Sequence, residues 1–266
     1  MNLVNKLAER LTRAPAVLVG VEATQGSVPR ETDAWMAVFD TDVLGTIGGG
    51  HLEHQAIAQA RQCLRGEAGE SVQRFALGPS LGQCCGGVVH LRFTRVGAQD
   101  AAALQRRLCS FRLPVALFGG GHVGRALVQV LANLPFDVRW IDSRDEIFPS
   151  DLPANVSSEH SDPVHQAVRG LVPGSRVLIM SFSHAEDLDV VAACLQRQRQ
   201  ANDLPYIGLI GSATKWATFG HRLQERGFTP EDLAKITCPI GVRGIPGKAP
   251  EVIAVAVAAQ LLQVPG

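Results

Sequence analysis

The stretch Ser80–His90, SLGQCCGGVVH, sets two cysteines side by side among glycines, with Gln83 immediately before them. Cys84 and Cys85 offer soft donors, and thiolates suit copper, iron–sulfur clusters or molybdenum bound through sulfur. They also accept a persulfide. A disulfide between neighbours requires a strained small ring. A structural zinc takes about four donors, which one adjacent pair does not supply. In a regular strand the two side chains would point to opposite faces. Two readings stay open: a thiol presented on a glycine loop, or two small residues buried at the start of a strand. Gly82, Gly86 and Gly87 favour the first.

A second candidate is VALFGGGHVGRAL, which reads as strand, Gly119-x-Gly121-x-x-Gly124, helix. Glycines at this spacing permit a tight turn, close approach of a phosphate and close helix–strand packing. The helix start then offers free N–H groups to an anion. Asp142, eighteen residues beyond Gly124, ends the next apolar run, where an acid bonds a ribose hydroxyl and Arg144 accommodates a phosphate instead. The same glycines also serve a fold that binds no nucleotide. An echo at Gly48, Gly49 and Gly50 feeds another helix, either as a second anion cradle or as a plain turn. His51 and His54, with Glu53 between them, share a helix face but lack the spacing of a zinc motif, so solvated positions are expected. His122 and His184 fall beyond strand ends, where ligands of wound sheets bind, and suit either ligand contact or an ordinary loop position. Lys215 and Lys248 follow glycine turns and suit either phosphate or solvent.

The elements that must position these residues fall into two parts. Ala16–Thr24, Trp35–Phe39, Val72–Leu77 and Val88–Thr94 read as strands around a helix from His51 to about Leu64, a small α+β domain. From about Asp100 apolar runs near 115–119, 138–142, 176–182 and 205–210 alternate with helices near 122–133, 163–170, 186–200 and 213–226. That pattern predicts a doubly wound parallel sheet covered on both faces, a Rossmann-like α/β domain. Val96–Asp100 is the best boundary, giving domains 1–99 and 100–266.

Composition narrows the function classes. The 266 residues are 46% hydrophobic and 19% charged, with zero formal net charge. No global field therefore recruits nucleic acid or an anionic membrane. Leu3, Leu7 and Leu11 in MNLVNKLAERL predict an amphipathic helix rather than a signal peptide. Val252–Leu262 is too short to span a bilayer. Six cysteines without the spacing of a small secreted scaffold point to a reducing, cytoplasmic setting.

Taken together, GSVPRETDAWMAV, GTIGGGHLEHQAI, LGQCCGG, VALFGGGHVGRAL, YIGLIGSATKW and CPIGVRGIPGKAPEVIAVAVAAQLL resemble the XdhC/CoxI family, in order from about Ala16 to Leu262. The resemblance implies a cofactor carrier, not an enzyme. It implies a protein that binds the molybdenum–molybdopterin cofactor, protects it, and lets it receive its sulfido ligand with help from a cysteine desulfurase. Delivery to apo xanthine dehydrogenase follows. On that resemblance Gln83, Cys84 and Cys85 lie near the metal, with Cys85 or Cys84 as transient ligand or sulfur relay. The loops Gly48–Gly50 and Gly119–Gly124 are then available to the pterin phosphate or a nucleotide. Subunit assembly, including a homodimer, stays open. The rival reading is an NAD(P)-dependent oxidoreductase built on the Gly119 loop, and a nucleotide-sensing scaffold is a third.

Overall fold

In the computed structural model, which describes residues 3–28, 32, 34–69, 71–77, 87–108 and 112–265, strand alternation and continuous apolar runs build two different sheets. Gln83, Cys84 and Cys85 lie outside the described residues. The chain divides into two compact units, Met1–Ser110 and Phe111–Gly266.

The first unit comprises α1 (Leu3–Leu11), β1 (Ala16–Gln25), β2 (Trp35–Val38), β3 (Val43–Gly45), α2 (Gly50–Arg65), β4 (Ser71–Ala76), β5 (Val88–Val96) and α3 (Ala101–Leu108). Its described strands form an antiparallel sheet in the order β3-β2-β1-β5-β4. The two-residue period decides which helix covers which face. Val17 and Val19 of β1 pack with Leu52 and Ala56 of α2, while Ala16 and Leu18 pack with Leu7, Leu11 and Leu104. Leu104 lies on α3, so the first unit runs through that helix. Leu7 and Leu11 are buried as the N-terminal pattern predicts, but Leu3 is 41% exposed and Val4 takes its place in the core.

The second unit holds β6 (Leu113–Phe118), α4 (His122–Leu131), β7 (Phe136–Asp142), β8 (Val156–His160), β9 (Arg176–Ile179), α5 (His184–Gln200), β10 (Tyr206–Leu209), α6 (Ala213–Glu225), α7 (Pro230–Leu233), β11 (Ile236–Thr237) and α8 (Pro250–Gln263). All described pairings are parallel, in the order β11-β10-β9-β6-β7-β8. Counted from β6, the strands run third, second, first, fourth, fifth, sixth, which is the dinucleotide-fold order with its switch point between β6 and β9. Strands such as Arg176–Ile179 and Tyr206–Leu209 are buried along their whole length. Helices on both faces require this, because neither face meets water. Val115 and Leu117 contribute to the cluster shared with α4 and α8, whereas Ala116 and Phe118 pack with α5. The helix expected near 163–170 is a 3-10 helix, Val164–Gly170.

Candidate functional site

The carboxyl ends of β6 and β9 meet at the switch point, where Phe118 pairs with Ile179. Gly119 follows β6 with φ +122, and a Cβ there would stand 1.9 Å from the Met180 carbonyl oxygen. Only glycine lets the β6 and β9 chains approach this closely. A Cβ on Gly124 would stand 2.1 Å from the Gly119 carbonyl oxygen, so its absence lets α4 sit directly on the loop. Gly121 differs, since a Cβ there meets nothing within 4 Å. Packing accounts for Gly119 and Gly124 but not for Gly121.

Asp142, at the end of β7, is 2% exposed. Its carboxylate accepts from the Gly120 N–H at 2.6 Å and the Arg144 N–H at 3.0 Å. The Arg144 guanidinium donates to it twice, at 2.9 and 3.0 Å. Burial, the largest influence, pushes this carboxyl upward. The Arg144 guanidinium and the two N–H groups together outweigh it and hold the group below its ordinary value. The acid expected to reach a ribose is thus committed within the fold, and it occupies a glycine-loop N–H.

The loop is also bridged. Ser143 Oγ donates to Glu186 Oε1 at 2.7 Å, and Glu186 Oε2 accepts from the Phe182 N–H at 3.1 Å. The Arg144 guanidinium lies 4.3 Å from the centroid of the Phe182 ring. Since β6 lies between β7 and β9, these contacts join the segments after β7 and β9 across the end of β6.

The second glycine loop is filled in the same manner. Glu53 Oε2 accepts from the N–H groups of Ile47 at 3.0 Å and Gly49 at 3.1 Å, and from the Thr46 hydroxyl. Gly48, Gly49 and Gly50 all have positive φ, and the Gly48 N–H donates to the Thr46 hydroxyl oxygen at 3.1 Å instead. The turn at the start of α2 therefore holds a carboxylate supplied by α2 itself. His51 and His54 are exposed, and among the described residues no group of three or more metal-ligating side chains is found.

Lys215 departs from the solvated position its sequence context suggests. Its side chain is 13% exposed, and its ammonium donates to Asp187 Oδ2 at 2.6 Å and to the Ile210 carbonyl at 2.9 Å. Asp187 Oδ1 in turn accepts from the Ser181 N–H at 2.7 Å. Cys238 borders this pair, and burial above all pushes its thiol up, with Asp187 adding to the rise and Lys215 opposing it. Burial pushes Cys194 up to about 12. Neither thiol is a thiolate at neutral pH. His122 and His184 are exposed, His184 lying edge-on to Phe219 at 6.2 Å, and Lys248 is exposed. Phe182, Glu186 and Asp187 carry no motif of their own: their contacts with Arg144, Ser143 and Lys215 join residues 38, 43 and 28 positions apart and leave no local signature.

Sheet order and glycine loop define a Rossmann-type unit joined to an antiparallel α+β unit. The chain belongs to the XdhC and CoxI family: the XdhC Rossmann domain matches residues 115–261, and the XdhC and CoxI family model matches residues 10–76. It is 26% identical over 265 residues to YqeB of Escherichia coli strain K12, a protein described as uncharacterized. That match covers 97% of this chain but 45% of YqeB, so the chain spans under half the length of this curated relative. Among solved structures, a Bacillus halodurans protein described as a xanthine dehydrogenase shares the fold, with a TM-score of 0.78 and 19% identity. The superposition covers 99% of this chain and 96% of that one. No helix among the described residues is long and apolar enough to cross a membrane.

Proposed function

We propose that this chain is an accessory protein of xanthine dehydrogenase that carries the molybdenum cofactor as cargo, supports its sulfuration with a cysteine desulfurase, and hands it to the apo enzyme. The observation that carries this reading is the match of one chain to both family models in order, residues 10–76 and then 115–261. In this account Cys85 or Cys84, preceded by Gln83, supplies a soft ligand to molybdenum or relays sulfur to it. A carrier must hold its cargo tightly enough to shield it and loosely enough to release it. One exchangeable thiolate among glycines meets both needs.

The rival reading, hydride transfer from NAD(P) at the Gly119 loop, gains little from the geometry. The acid that would bond the ribose is buried against Gly120 and Arg144, and Arg144 stacks on Phe182 beside the same loop. Reconstitution distinguishes the two. Protein purified from a molybdate-replete host, mixed with apo xanthine dehydrogenase and a cysteine desulfurase, should restore activity in proportion to the carrier added. Turnover of NAD(P)H on a small substrate, with no restoration, would defeat the proposal.

A further inference from the structure

A cleft of ≈ 580 Å³ opens in the second unit, on the face of α4 directed at α8 and the segment 149–153. It falls in the size range of sites for small organic ligands, roughly 300–1,000 Å³. It borders α4 from His122 to Val130, a span of about 12 Å at the helical rise.

The walls are mainly apolar and include Val130, Trp140, Leu152 and Val255. Trp140 is 1% exposed and fixed by its indole N–H, which donates to the Gly119 carbonyl at 2.9 Å. Val255, by contrast, is 53% exposed. It belongs to α8, whose sequence PEVIAVAVAAQLLQ is apolar on nearly every side. A helix of that composition is usually covered all round.

Charges of both signs border this apolar surface. His122 and Arg125 come from the first turn of α4; Asp151 comes from the loop, and Glu251 from the first turn of α8. All four are exposed. Arg125 donates to the carbonyls of Gly120 at 3.3 Å and Ile147 at 3.0 Å, which leaves its charge unneutralised. Among the described residues neither Asp151 nor Glu251 forms an ion pair. An occupant that satisfies this set has an apolar body. It carries an anionic group for Arg125 and His122, and it donates hydrogen bonds from one ring edge to a carboxylate.

We infer that the α4–α8 cleft binds a bicyclic nitrogen heterocycle with an adjacent N–H and amino group on one edge and an anionic tail. This rests on the cargo reading above and assigns the ring of that cargo to the second unit. Pterin and guanine both present the required donor pair, which meets a carboxylate in the two-pronged manner of an arginine fork. Adenine presents an amino group beside an acceptor nitrogen, which a carboxylate repels. The cleft therefore selects against an adenine nucleotide on chemical grounds, independently of the glycine loop.

Titration of the full chain with pterin-6-carboxylate, followed by pterin fluorescence, tests the inference, with GMP and AMP as competitors. Three variants accompany it: Glu251→Gln, Asp151→Asn and Val255→Trp, all at exposed positions, with thermal melting as a check on folding. The expected result is saturable binding by the natural sequence, weakened about tenfold or more in Glu251→Gln or Asp151→Asn and lost in Val255→Trp. GMP should compete and AMP should not. Stronger competition by GMP than by the pterin would assign the same site to a nucleotide source. Pterin binding that all three folded variants retain unchanged would overturn the cleft and leave the carrier proposal standing. Equal competition by AMP and GMP would overturn the donor-edge assignment. Failure of the natural sequence to bind any pterin would overturn both.

Discussion

Gly119 and Gly121 belong to one motif, yet the surroundings ask different things of them. Gly119→Ala would drive a Cβ into the Met180 carbonyl oxygen, 1.9 Å away, at a φ of +122. Backbone on both sides has no room to yield, so this variant is expected to lose at least about 3 kcal/mol or fail to accumulate. Gly121→Ala, whose Cβ enters open space at a φ of −69, should change stability by no more than about 0.5 kcal/mol. Urea unfolding of both variants checks the contrast. Asp142 gives a second test at this scale. Its folded carboxyl lies below the unfolded value of 3.8, so its stabilisation is complete above that value and is lost as pH falls through the folded one. Asp142→Asn should therefore lower stability near neutrality and narrow the gap between unfolding midpoints at about pH 6 and about pH 3. A variant with the wild-type gap would show that Arg144 and Gly120 do not hold the charged form.

Elements were legible where one burial pattern holds along their whole length. The apolar runs of β6, β9 and β10 and the leucine spacing of α1 announce themselves because burial on both faces, or on one stripe, constrains every residue. β8 hides because its sequence VSSEH holds a single apolar residue at the sheet edge. β3 and β11, with three and two residues, are too short to show alternation. The glycine runs were visible as loops, but their contents were not: Glu53 reaching back to Ile47 and Gly49, and Asp142 reaching to Gly120, are tertiary outcomes. Lys215 and Asp187 lie 28 residues apart, so the ion pair has no local signal either. The place of α3 follows the same logic. Leu104 shares a cluster with Leu7 and Leu11, and Gln105 donates to Asn5 at 3.2 Å. A fragment ending at residue 110 should consequently fold, while one ending at 99 should leave Leu7 and Leu11 uncovered and aggregate. Equal behaviour of the two fragments in sedimentation and circular dichroism would contradict this assignment of α3.

At the scale of the whole molecule, each glycine loop gives an N–H to a carboxylate of the chain, Gly49 to Glu53 and Gly120 to Asp142, while the first turn of α4 carries no side-chain cap. Cargo recognition in this account rests on the thiols at Cys84 and Cys85 for the metal and on the α4–α8 cleft for the ring. Removing a thiol deletes a soft ligand that no neighbour replaces, and a lost metal contact costs about tenfold or more in affinity at roughly 1.4 kcal/mol per decade. The most direct measurement is the molybdenum and pterin content of the chain purified from a molybdate-replete host, beside the Cys84→Ala, Cys85→Ala and double variants. The account predicts that molybdenum and pterin copurify with the natural sequence, and that at least one single variant, correctly folded, loses most of the metal. A folded natural protein free of both molybdenum and pterin, or a double variant that retains them in full, would contradict it.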